Sequence, residues 1–320
     1  MPTLTKETTL YEATKAYLKV MALEGKSKQS IKAYKSDLNQ FLEFIDGTTK
    51  VGDLSGDDLE EYREYLLNKT DSKNTFNRRI SGVRSFLKFL SVGQLISVPL
   101  EKFRSVPIKN KEAVYITESE FQAIISSIEN RINAHREKLP DHNINTYVYI
   151  GMQLRNKVLF TTLYKTGVRI SEALNLQVSD LDLDHRELLV HGKGGKKRYV
   201  PISNDLRDMI REYLQLLSTV GFTSPYLFPA MNGEDTQQSY GNAYKMFRLA
   251  VVDAGISRTL SIHSLRHGFA SQALEGGMDY KTLQEILGHA SPDITMNTYA
   301  HVSSQHKKES YDKIFNKRAQ

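Results

Sequence analysis

The chain has 320 residues, 40% of them hydrophobic, which is enough for two domains with separate cores. It has no cysteine, which excludes disulfides, thiolate catalysis and cysteine-ligated zinc and suits a reducing compartment. A formal net charge of +6 favours a polyanionic partner without identifying one.

The opening stretch, MPTLTKETTLYEATK, lacks the apolar core of a signal peptide. No apolar run approaches membrane-spanning length, so a cytoplasmic protein is expected. Ala13, Tyr17, Val20 and Met21 recur at helical spacing and predict a helix over Leu10–Leu23, stopped by Gly25. Ser27 can cap a second helix that carries Ile31, Leu38, Phe41 and Ile45 and ends at Gly47. Ser55 or Asp57 caps a third, striped by Leu59, Tyr62 and Leu66. A fourth runs from about Lys73 to Leu90, with Phe76, Ile80, Val83 and Leu87 on one face and Arg78, Arg79, Arg84 and Lys88 elsewhere. Those four cations are the candidates in this half for reaching phosphates or base edges, set against the plain reading of a solvated charged face. Residues 1–98 thus predict a helical bundle. The pattern then fails, and Pro99 and Pro107 among Lys102, Arg104, Lys109 and Lys111 predict a basic linker over 99–116.

A second domain is expected over 117–320. The capping box Thr117-Glu-Ser-Glu120 opens a helix bearing Phe121, Ile124, Ile125 and Ile128. Residues 131–145 form a polar extension with no assigned role. Tyr147–Tyr164 is apolar on most sides and should be buried. Lys165-Thr166-Gly167 closes it, Arg169 follows, and a short helix takes up Ser171–Leu176. Glu187–Val190 and Arg198–Ile202 are β-prone and predict a hairpin with a cationic turn over Gly192–Lys197. That turn lacks the spacing and the final Lys-Ser/Thr pair of a Walker loop. Helices are expected over Asn204–Leu217 and Ser239–Ala254. The fold class is therefore mainly α with a small antiparallel β-sheet in the second domain.

The stretch Ile262–Tyr299 carries the densest chemistry. His263 and Arg266, three apart, share one helical face. Ser261 is expected to cap that helix and Gly276-Gly277 to end it, which places both side chains at an anion-favouring first turn. A helix over about Asp279–Leu287 follows, Gly288 breaks it, and His289 lies just past the break. Pro292 opens a segment ending near Tyr299, and residues 304–320 predict a short basic helix.

In order, the motifs are TGVRISEAL with Arg169, HGKGGKKRYVP with Lys193, HSLRH with His263 and Arg266, LGHAS with His289, and MNTYAH with Tyr299. No single motif is specific, but the ordered set resembles the tyrosine recombinases over most of the chain, closest to compact Xer-like, transposon or phage integrases. The resemblance implies a two-domain DNA clamp with a helical N-terminal domain and a catalytic C-terminal one. It implies Tyr299 as nucleophile, Arg169 and Arg266 on the non-bridging oxygens of the scissile phosphate, and His263 and His289 bonding to the same group. Lys193 becomes the general acid for the leaving 5′-oxygen, and Glu172 orients the arginine pocket. The implied partner is double-stranded DNA with a specific recombination site, bound by a homotetramer on two sites or a heterotetramer with a second recombinase. No cofactor, metal or ATP is implied, and nucleoid association is expected.

Elementary chemistry is consistent with those roles. Guanidinium groups stay protonated and offset the repulsion between a phosphodiester and an attacking oxyanion. A lysine among cations has its pKa driven down toward a useful range for proton transfer. The alternatives are a type IB topoisomerase-like relaxing enzyme, a catalytically silent DNA-binding regulator, and a metal-dependent phosphodiesterase built on His263 and His267.

Overall fold

The computed structural model describes residues 3–101, 103–108, 114–137, 144–192, 195–232 and 235–288. The chain divides into two compact units, residues 1–111 and 112–320.

The first unit is a bundle of α1 (Leu10–Leu23), α2 (Lys28–Ile45), α3 (Gly56–Lys69) and α4 (Lys73–Val92), with a 3-10 turn at Val51–Asp53. Local chemistry sets the starts. Thr9 and Glu12 form a capping box, Ser27 accepts from the Ser30 amide, and Ser55 with Asp58 forms a second box. Each such cap is worth about 1 kcal/mol because it satisfies amides that the first turn leaves unpaired. The apolar faces converge on Phe41, Tyr62, Phe76 and Phe86, all at most 1% exposed. Burying one such aromatic contributes roughly 1.5–3 kcal/mol.

The beginning of the expected linker is not free chain. Phe103 is buried in the same core, as is Ile96 just before the segment, and Asn77 of α4 exchanges two 2.8 Å hydrogen bonds with the backbone of Val106. A large aromatic at position 103 binds the segment to the bundle more strongly than the flanking prolines and cations free it.

The second unit comprises α5 (Glu118–Glu137), α6 (Ile144–Thr166), α7 (Ile170–Leu174), β1 (Leu181–Asp182), β2 (Glu187–His191), β3 (Lys197–Pro201), α8 (Asn204–Thr219), α9 (Tyr240–Asp253), α10 (His263–Glu275) and α11 (Tyr280–Leu287). The expected Thr117–Glu120 capping box is present. The C-terminal half of α6 is buried all round, from Val158 and Phe160 to Leu163 and Tyr164, as its lack of a polar face predicts. The sheet is antiparallel in the order β1-β2-β3, with Leu188 opposite Val200 and Val190 opposite Arg198. β1 has two residues, too few to show a period-two pattern in the sequence.

The polar extension from 131 continues α5 and is docked as far as His135. Arg131 donates to Asp253 of α9 at 2.7 Å, and His135 stacks on Tyr149 of α6 with ring centroids 3.7 Å apart. Among the described residues no helix is long and apolar enough to cross a membrane.

Candidate active site

The site begins where α6 ends. Gly167 adopts φ +63°, and a β-carbon there would lie 2.3 Å from a Phe269 ring carbon, so glycine alone fits the turn. Its amide closes α6 on Leu163, and its carbonyl accepts a hydrogen bond from the Arg266 guanidinium. Arg169 follows two residues later as the residue preceding α7.

Glu172 sits one turn into α7 with its side chain only 6% exposed, and its two oxygens accept four bonds. Oε1 takes Arg169 Nη1 at 2.8 Å and Arg198 Nη1 at 3.2 Å. Oε2 takes the Arg169 amide at 2.9 Å and Arg198 Nη2 at 2.8 Å. Burial by itself drives this carboxyl up. The bonds from Arg198 and Arg169 overcome that and hold it below the usual carboxylate range. The group is therefore an anion at neutral pH.

Arg198 comes from β3, on the same face as buried Val200, while Lys197, Tyr199 and Pro201 point outward. Sequence reasoning passed over it as one more residue in a β-prone run. The available signal was its register: a charged side chain on the inward face of a half-buried strand needs a partner.

The other wall is the end of α11. Asp279 caps its start, accepting from the Lys281 and Thr282 amides at 3.0 and 2.9 Å. Leu283 and Leu287 bury it against Ala270 and Leu274 of α10. Gly288 ends it in the left-handed conformation, φ 63°. Three successive carbonyls at this end then accept from three arginines. Ile286 takes Arg198 Nε at 2.7 Å, Leu287 takes Arg266 Nη2 at 2.9 Å, and Gly288 takes Arg169 Nη2 at 3.0 Å. These carbonyls lack intrahelical partners and carry the negative end of the helix dipole, so cations are favoured there.

α10 supplies Arg266, 8% exposed, and His263 at its first position, exposed to solvent. The expected Ser261 cap is not made. Ile262 is the capping residue, without a side-chain bond, and the Ser261 amide donates instead to Ser264 Oγ at 3.2 Å. A backbone already helical at Ile262 places the serine one residue too early to cap. Loss of hydration, and after it the charge of Arg266, hold His263 below the ordinary imidazole range. His267 is lowered by the same two causes and by His263. Both rings are neutral at pH 7 and offer one N–H and one lone pair each.

The structure thus brings together Arg169, Arg266, Glu172 and His263 from segments about a hundred residues apart, and adds Arg198. Two of these guanidinium groups bond to the single carboxylate and the third, Arg266, rests on carbonyls, which leaves a positive excess suited to an anion. Lys193, His289 and Tyr299 lie outside the described residues. Their neighbours are placed: the Gly192 amide closes the hairpin root on the Lys196 carbonyl at 2.7 Å, and Gly288 immediately precedes His289. In the first unit Arg78, Arg84 and Lys88 are exposed and Arg79 is half-buried. Arg78 is paired with buried Asp37, and Arg79 donates to Thr70 at 3.1 Å. Among the described residues no three His, Asp or Glu side chains converge to hold a metal ion.

Residues 115–306 match the model of the phage integrase family, and residues 14–92 match that of the phage integrase N-terminal SAM-like domain. The chain is 30% identical to tyrosine recombinase XerC of Staphylococcus carnosus (strain TM300) over 288 residues, 89% of this chain and 90% of that one. It aligns with the crystal structure of XerA recombinase at 27% identity and a TM-score of 0.50, covering 95% of this chain and 98% of that one. A lambda integrase tetramer bound to a Holliday junction shares the fold at a TM-score of 0.70 and 15% identity, over 91% of this chain and 77% of that one. With family-model matches in both units and a relative aligned over most of its length, the chain belongs to the phage integrase family and is a tyrosine-type site-specific recombinase.

Proposed function

We propose that this enzyme exchanges strands between two copies of a specific DNA site through a covalent 3′-phosphotyrosine intermediate. Tyr299 loses its phenolic proton to solvent as its oxygen attacks the scissile phosphorus, the bond to the 5′-oxygen breaks, and Lys193 delivers the proton that the departing 5′-oxygen takes up. Arg169 and Arg266 bind the non-bridging oxygens, and His263 and His289 donate hydrogen bonds to them. Because the phosphoester is exchanged and not hydrolysed, rejoining by the reverse attack requires no ATP. Exchange in pairs takes four protomers through a Holliday junction. The N-terminal unit adds phosphate contacts through Arg78, Arg79, Arg84 and Lys88, with the basic segment 99–116 joining it to the catalytic unit. The setting for this activity is the cytoplasm, on nucleoid DNA.

One observation supports this reading above the others. Two arginines far apart in sequence, Arg169 and Arg266, are held on neighbouring carbonyls one and two residues before His289. Such a pair offers preorganised charge where a pentacoordinate phosphorane develops it.

Covalent trapping tests the proposal. The protein is incubated with a nicked duplex bearing its selected site, and the denatured products are resolved by gel. Wild type is expected to give a protein–DNA adduct and Tyr299→Phe none. An adduct with Tyr299→Phe, or none with wild type, refutes the assignment. Relaxation of any supercoiled plasmid, independent of sequence and without strand exchange, shows topoisomerase-like action instead.

A further inference from the structure

We propose that Arg198 is a positioning residue for the reaction, acting through Glu172 to keep Arg169 available to the phosphate. The inference rests on the arginine-pocket reading above and deepens it.

Arg198 makes a parallel two-pronged pair with Glu172, Nη1 to Oε1 and Nη2 to Oε2. That is the strongest geometry a guanidinium and a carboxylate can adopt. It leaves Arg169 a single side-chain bond to the carboxylate, Nη1 to Oε1, while its Nη2 rests on the Gly288 carbonyl and its side chain stays 37% exposed. Without Arg198, the buried carboxylate retains one guanidinium partner, and a two-pronged Arg169–Glu172 pair becomes its best arrangement. That arrangement turns the Arg169 fork away from solvent and neutralises it. Arg198 thus holds Glu172 in the role of an orienting group and prevents it from acting as a competing anion.

The same side chain fixes two further parts of the site. Its Nε donates to Ile286 at 2.7 Å, and Gly288 packs against it so closely that a β-carbon there would lie 2.9 Å from Arg198 Nη1. Gly192, at the root of the turn that carries Lys193, has its own β-carbon position 3.7 Å from Arg198 Nη1. One guanidinium, carried by β3 beside the hairpin root, therefore bonds to both α7 and the end of α11. No carbonyl-only contact and no single ammonium reproduces that three-way bridge.

The test compares Arg198→Ala, Arg198→Lys and Arg169→Ala with wild type on two nicked duplexes of the site recovered by binding selection from a random library. One carries the ordinary scissile phosphodiester. The other carries a methylphosphonate there, which replaces a non-bridging oxygen by methyl and removes the negative charge. Single-turnover adduct formation and DNA binding are measured for each. Arg198→Ala is expected to slow adduct formation on the phosphodiester by about 10- to 100-fold, the scale seen when a group that orients a metal ligand is removed. Binding should change little. On the neutral methylphosphonate its deficit relative to wild type should shrink, as should that of Arg169→Ala. Arg198→Lys should lie between, since an ammonium satisfies one of the three contacts.

An equal deficit on both duplexes, with the Arg169→Ala deficit shrinking, shows a merely structural Arg198 and overturns the inference. A deficit of Arg169→Ala that does not shrink overturns the arginine-pocket reading itself. If Arg198→Ala fails to fold, the same comparison is decided by Arg198→Lys, whose wild-type-like rate on both duplexes also refutes the role.

Discussion

Glu172→Gln isolates the electrostatic core of the site with little change in shape. The wild-type carboxylate accepts four bonds, two side-chain pairs from Arg198 and Arg169 among them, with its own side chain 6% exposed. Removing one partner of a buried pair costs about 3–5 kcal/mol because the other charge is left uncompensated. Arg169 is 37% exposed and regains water, so its share is discounted and the lower end, roughly 3 kcal/mol, is expected. In a unit of this size each kcal/mol moves the midpoint by about 2–4 °C, which gives a fall of roughly 6–12 °C. The chain has no tryptophan, so circular dichroism at helix wavelengths is the suitable probe.

The pH dependence supplies an internal check. The native carboxyl is held below its ordinary value. Its contribution is therefore fully present above the unfolded value, about 4.3, and is lost as pH falls through the lowered native value. The gap between wild type and Glu172→Gln should close over that acid window. A variant melting within a degree of wild type at neutral pH, or a gap that persists unchanged into acid, refutes the reasoning.

Arg266→Ala should lower the rate of adduct formation by about 10²- to 10³-fold, the scale of one lost oxyanion donor, with binding nearly intact. Equal loss of binding and cleavage points to misfolding. Gly167→Ala forces a β-carbon against Phe269 and Leu287 at a left-handed residue. Overpacking and backbone strain together should cost about 2–5 kcal/mol, and an unchanged melting temperature refutes the close approach. His263 and His267 are both held below the ordinary imidazole range. Below an unfolded value of about 6.5 the unfolded chain binds more protons than the native one, so stability should fall with acidification through that window. A His263→Asn, His267→Gln double variant should flatten that slope in melts from pH 7.5 to 5.5, and an unaltered slope refutes the assignment.

Local physics made much of this protein legible. α1, written in the spacing of Ala13, Tyr17 and Met21, has the bounds Leu10–Leu23 that the sequence predicts, and Ser27, Ser55 and Asp279 cap where their side chains suit a first turn. The apolar residues on most sides of the stretch before Lys165 foretold the burial seen in the C-terminal half of α6. The ordered motifs from Arg169 to Tyr299 gave the family, because chemistry on a phosphodiester constrains residue types wherever they fall in the chain. Such signals act within a turn of helix or a strand period, or through the identity of single residues.

The arrangement at the end of α11 has no such signal. Its three carbonyls hold arginines 88, 21 and 119 residues away, and which carbonyl meets which guanidinium follows only from packing α7, β3 and α10 around one helix terminus. Arg198 became visible for the same reason, since its partners Glu172 and Ile286 approach it only in the folded chain. Ser261 shows the converse: a good capping residue by type, displaced from that role because the backbone turns helical at Ile262. The sequence by itself determined most of the elements and the family to which their chemistry belongs. The tertiary structure decided which charges face each other, because electrostatic pairing depends on distance through space and not on separation along the chain.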